Sequence, residues 1–177
     1  IPVFLKKFGE ERQEAEELLG SILVFFSFFI IIVSATAFFL MPEITSRYLP
    51  GFSENEVGYT VLLSRILLLS PFFLGLSNIL SSATQARRRF FAYGLAPVFY
   101  NVGILLGILV FYDFLGISGL AWGVALGAFL HLAMQIPSLR GLGISLKFKK
   151  IWSEDLKKIT WLSLPRALGL QITQIAT

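Results

Sequence analysis

Between Leu19 and Met41 the chain carries no charged residue: LGSILVFFSFFIIIVSATAFFLM. As a helix rising ~1.5 Å per residue, this run extends roughly 34 Å, enough to cross the hydrocarbon core of a bilayer. Three more apolar blocks follow, at 57–84, 93–112 and 117–139, each set off by a short polar stretch. Only 15% of residues are charged and 55% are hydrophobic, whereas ordinary soluble domains carry roughly 25% charged residues. The expectation is an all-α, polytopic integral membrane helical bundle. About four transmembrane helices are complete, and a further one begins at 159–177.

The polar stretches orient these spans. A helical hairpin is expected over 70–101, where two apolar arms meet at Arg87, Arg88 and Arg89. Loops rich in Lys and Arg stay on the cytosolic side. Of the 15 Lys and Arg, all but Arg47, Arg65 and Arg166 fall in 1–18, 85–93 and 140–158. The alternation is consistent at every crossing. It predicts a cytosolic amphipathic connector at 1–18, a cytosolic basic turn at 85–92 and a cytosolic linker at 140–158. Extracytoplasmic segments are expected at 42–56 and 113–116. Arg87, Arg88, Arg89, Lys147, Lys149 and Lys150 are the orientation anchors, drawn to anionic headgroups at roughly 1 kcal/mol per charge. The arginine cluster has a second reading as a gate for substrate. The net charge of +4 is not a nucleic-acid signal, because the positive charges flank apolar blocks and form no basic face. The start at Ile1 and the end inside an apolar segment lead us to expect a piece of a longer polypeptide, whose remaining helices are then partners of these.

Prolines and small residues punctuate the spans. Pro42 is expected to help end the first, and Pro71 to kink the second, since each lacks the N–H of an i→i−4 hydrogen bond. Gly103 and Gly107 form a small-xxx-small pair suited to close helix contact. Gly119, Gly123 and Gly127 recur every four residues, which makes one helix face smooth, and His131 lies on that face.

Catalytic chemistry has little to work with. The chain has one His and no Cys, no carboxylate lies inside an apolar block, and no nucleophile, P-loop or metal motif appears. Neither an enzyme, nor a metal site, nor a bound cofactor is expected. Spans carrying Pro, Gly, Ser, Asn, Gln and a few Arg suit a transporter. The candidate substrate contacts are Arg65, Ser77, Asn78, Asn101, Arg166 and Gln171. Each has a structural reading beside it. Arg65 can snorkel or join a structural pair, because a charge within a span is costly but a long stem can reach headgroups. Arg166 can meet lipid phosphates. Asn101, Gln171 and Gln174 can form interhelical hydrogen bonds, and His131 can be a packed, hydrogen-bonded residue or a proton carrier.

Several ordered segments together resemble one family. IPVF followed by a charged connector, PGF at 50–52, and RILLLSPFFLGLSNILSSATQARRRFFAYGLAPVFYNVGILLG are similar to the MurJ (MviN-type) lipid II flippases. So are GVALGAFLHLAMQIPSL and WLSLPRALGLQITQI. The resemblance covers essentially the whole chain. It implies the multidrug/oligosaccharidyl-lipid/polysaccharide exporter superfamily, with two pseudo-symmetric lobes around a central cavity that work by alternating access. The implied cargo is an undecaprenyl-pyrophosphate-linked peptidoglycan precursor, moved from the inner to the outer leaflet of a bacterial plasma membrane. The family's main cavity arginines lie on its first, second and eighth helices, which this sequence does not contain. The alternative is an exporter of the same fold that carries another lipid-linked oligosaccharide, or a drug driven by an ion gradient.

Overall fold

The computed structural model describes residues 12–86, 88, 90–141, 157 and 161. The described residues form helices and turns without a strand: α1 (Arg12–Tyr48), α2 (Glu54–Leu67), α3 (Leu69–Ala86), α4 (Phe91–Leu106), a π-helical turn (Gly107–Phe111), α5 (Tyr112–Leu115) and α6 (Ile117–Gly141). Four stretches are long and apolar enough to cross a membrane: Ala15–Tyr48, Glu54–Gln85, Phe91–Leu115 and Ile117–Pro137. The all-α polytopic expectation holds. The described residues fall into two compact units, one of 26–141 and the other of 12–25 with 157 and 161. The first unit contains all the interhelical contacts described below.

Two expected boundaries move, each for a local reason. Pro42 does not end the first helix: α1 runs through it to Tyr48, and the connection shrinks from 42–56 to Leu49–Ser53. There Ser53 stops the loop with a capping box. Its Oγ accepts from the Glu56 N–H at 3.4 Å, and the Glu56 carboxylate accepts from the Ser53 N–H at 2.8 Å, which satisfies two end groups reciprocally. The span expected at 57–84 with a kink at Pro71 runs Glu54–Gln85 and breaks at Leu68, as the expected kink requires, because Pro71 withholds the N–H that would bond to Leu67. The turn expected at 113–116 narrows to Gly116, whose φ of +58° is a left-handed conformation open to glycine.

α6 is the element on which the first unit is assembled: it packs against α2, α3 and α4. Against α4 it runs antiparallel with glycine facing glycine. A Cβ on Gly107 would lie 2.6 Å from the Gly123 Cα, and one on Gly103 would strike the Gly127 backbone. Gly119 abuts the Phe111 backbone, and Gly127 abuts the Tyr100 carbonyl. All five glycines are buried. The two glycine sets therefore meet, and the helix backbones touch directly, which is how membrane helices gain packing without a hydrophobic driving force between them. The π-helical turn, closed by the Tyr112 N–H on the Gly107 carbonyl, lies inside this contact and was not foreseen from the sequence.

Against α3, α6 runs in the same direction. Phe73 meets Phe129 edge to face at 5.5 Å, and Ser77 meets His131 one turn further on. Against α2 the contact is small, with Ile66, Ala121 and Ala125 buried together and Leu63 beside them. Most hydroxyls along the helices are absorbed by their own backbone. Thr36, Thr45, Ser46, Thr60 and Ser82 each donate to the carbonyl four residues back at 2.8–2.9 Å, so they add no unpaired polar group to an apolar surface.

Candidate functional site

One polar contact between the apolar spans is built around a proline. In a regular helix the amide of residue 42 would bond to the carbonyl of Phe38, but Pro42 has no N–H. The Phe38 carbonyl instead accepts from Arg65 Nε at 3.1 Å, across from α2. The same guanidinium lies over the Phe38 ring, with its central carbon 4.3 Å from the centroid, a distance at which a cation is attracted to the aromatic face. Thus α1 continues past Pro42 because Arg65 supplies the missing donor. A proline break survives in lipid when a neighbour satisfies the freed carbonyl.

Arg65 also borders a groove of about 570 Å³. Phe38 and Phe39 of α1, Leu62 of α2, Leu69 of α3 and Trp122 of α6 give it apolar walls. Among the described lining residues Ser34 is the other polar one, and Arg65 carries the only charge. Arg65 is half-buried. Among the described residues no carboxylate pairs with it, and its contacts are those to Phe38.

The other sequence candidates scatter. Ser77 is fully buried, its Oγ 2.7 Å from His131 Nδ1 and 3.2 Å from the His131 carbonyl oxygen. It ties α3 to α6, and His131 takes the packed, hydrogen-bonded place anticipated for it. Asn78, the next residue, is exposed, as is Asn101 on α4. No described contact brings Arg65, Ser77, Asn78 and Asn101 to a single point. Arg166, Gln171 and Gln174 lie outside the described residues, as do Arg87, Arg89, Lys147, Lys149 and Lys150. Arg88 is exposed in the α3–α4 turn with a φ of +57°, its N–H bonded to the Gln85 carbonyl at 2.9 Å. No three His, Asp or Glu side chains converge as a metal site among the described residues.

One polar residue escaped the sequence reading. Gln135 is fully buried, and neither its Oε1 nor its Nε2 has a hydrogen-bond partner. Ser70 Oγ is likewise buried and unpaired. The signal for Gln135 was available: it lies four residues after His131, on the face that begins with Gly119.

Comparison with known proteins now bears on this bundle. A family model described as "Lipid II flippase MurJ" matches residues 1–177. The chain belongs to the MurJ lipid II flippase family. Relatives named "Probable lipid II flippase MurJ" include one from Rhizobium meliloti (strain 1021), 26% identical over 99% of this chain and 35% of the relative. Another, from Buchnera aphidicola subsp. Acyrthosiphon pisum (strain APS), is 26% identical over 99% of this chain and 36% of the relative. A third, from Buchnera aphidicola subsp. Schizaphis graminum (strain Sg), is 28% identical over 99% and 35% respectively. The chain thus spans about a third of the length of these curated MurJ relatives. Family membership and the four apolar helices together make it part of a multi-pass membrane protein with bacterial relatives. The family is named for transport across a membrane and not for a covalent reaction.

Proposed function

We propose that this chain forms most of the helical scaffold of one lobe of a bacterial inner-membrane flippase. The parent protein moves an undecaprenyl-pyrophosphate-linked peptidoglycan precursor from the inner to the outer leaflet by alternating access, and catalyses no covalent step. The observation that carries this reading is the family match across all 177 residues. Two features of the fold support it. The glycine contact between α4 and α6 supplies a stiff unit, and the interruption at Leu68 supplies a point where the second span can bend. Transporters place such broken helices beside the path of the cargo.

In this scheme the basic segments face the cytosol, where Arg88 and its neighbours hold the α3–α4 turn at the headgroups. Exposed Asn78 and Asn101 are the cargo-facing candidates among the described residues, with Arg166 and Gln171 assigned the same role from sequence. The partners are the lipid-linked precursor, the surrounding lipids and the remaining helices of the parent polypeptide. The test is complementation. Cells depleted of their lipid II flippase receive the full-length protein, and precursor reaching the outer leaflet is labelled. Restored labelling is expected. Correct insertion without restored labelling would rule out this cargo and return the assignment to another lipid-linked oligosaccharide.

A further inference from the structure

We propose that the groove between α1, α2, α3 and α6 is a phospholipid site, in which Arg65 holds the phosphodiester of one anionic bilayer lipid and the apolar walls hold its acyl chain. The proposal rests on the membrane-spanning fold and is independent of the cargo.

A guanidinium carries five N–H donors, and the Phe38 carbonyl takes only the one on Nε. The donors on the two Nη atoms face no described carboxylate. Arg65 is eleven positions beyond Glu54, so it lies roughly 16 Å along α2 at ~1.5 Å per residue. A cation within an apolar span is costly unless it meets a counter-charge or its long stem reaches the interface. Its neighbours are not an aqueous path: Phe38, Phe39, Leu62, Leu69 and Trp122 surround it. The volume, about 570 Å³, falls within the range of roughly 300–1,000 Å³ typical of small-ligand sites. An occupant must therefore be apolar over most of its length and anionic at one end. An acyl lipid with a phosphate head has that form, and Arg binds phosphate through paired N–H donors.

The number of cations decides between lipid sources. Among the described residues that line it, the groove offers one guanidinium and no second base, which matches the single charge of a phosphodiester. A pyrophosphate would leave further negative charge unpaired among aromatic and aliphatic side chains, a costly arrangement. We therefore assign the site to a glycerophospholipid such as phosphatidylglycerol.

The test uses the full-length protein with a benzophenone amino acid at Leu62, which is 46% exposed. It is irradiated in membranes containing phosphatidylglycerol and the lipid-linked precursor, and the adduct is identified by its mass. The background is Pro42→Ala, in which the helix no longer needs Arg65 for its missing hydrogen bond, so Arg65→Gln can be compared without losing the fold. A phospholipid adduct that falls at least fivefold on Arg65→Gln is the expected result. A control probe at Leu109, exposed on the π-helical turn, should capture lipid equally in both variants. An adduct with the mass of the precursor would overturn the assignment. So would a cross-link to another segment of the same polypeptide, or a phospholipid adduct indifferent to Arg65→Gln.

Discussion

The bond from Arg65 to the Phe38 carbonyl makes a sharp prediction, because its value depends on a proline in another helix position. Arg65→Met keeps an unbranched apolar stem but removes the donor and the charge. The lost hydrogen bond to a charged donor is worth about 1.5–3 kcal/mol. The lost contact with the Phe38 ring is worth about 0.5–1 kcal/mol at a partly accessible site. Arg65→Met should thus destabilise the parent protein by about 2–4 kcal/mol. In the Pro42→Ala background the amide restored at position 42 bonds to the same carbonyl, since 42 and 38 are four apart along α1. There Arg65→Met should cost only the ring contact, about 0.5–1 kcal/mol. The coupling between the two positions is the difference, about 1.5–3 kcal/mol. Equilibrium unfolding of the four full-length proteins in mixed detergent micelles gives it directly. Independent sites add within about 0.3–0.5 kcal/mol. If Arg65→Met costs the same in both backgrounds within that margin, Arg65 is not the donor that lets α1 pass through Pro42.

Gly107→Ala should separate α4 from α6 and destabilise the protein by about 1–3 kcal/mol, the usual range for overpacking, whereas Gly94→Ala, with nothing within 4 Å of the added carbon, should stabilise by about 0.5–1 kcal/mol; thermal unfolding of both variants checks the contrast. Gln135→Leu removes two buried, unpaired polar atoms and should raise stability by about 1–3 kcal/mol; a loss measured by the same unfolding assay would mean the carboxamide has a bound partner. A cysteine introduced by Arg88→Cys in an otherwise cysteine-free parent should react with a membrane-impermeant maleimide only after the cytosolic face is opened, and labelling of intact spheroplasts would reverse the orientation.

The helices were legible because charge is excluded from long blocks, a signal that survives without any knowledge of neighbours. The glycine spacing was legible too, as two smooth faces, although only the structure pairs Gly103 with Gly127 and Gly107 with Gly123. What the chain alone concealed was compensation between distant residues. Pro42 reads as a terminator when considered with its own neighbours. Its missing hydrogen bond is supplied by a residue far along the sequence, so local rules misplace the end of α1. Arg65 in turn reads as a functional or snorkelling charge because its acceptor is a backbone oxygen, which no pattern of side chains reveals. Ser77 and Gln135 show the same limit. Both are polar residues on helix faces, and only the packing of α3 on α6 distinguishes the serine bonded to His131 from the glutamine left without a partner.

Where the paired glycines of α4 and α6 meet, backbone lies on backbone, with no side chain between them to switch rotamer and no film of lipid to shear. Sliding one past the other by even a single residue would push a carbonyl or a bulky group into space cut to the size of a hydrogen atom. Any rearrangement of the membrane protein must therefore carry these two rods along together, like a spine, and take up its strain at joints elsewhere.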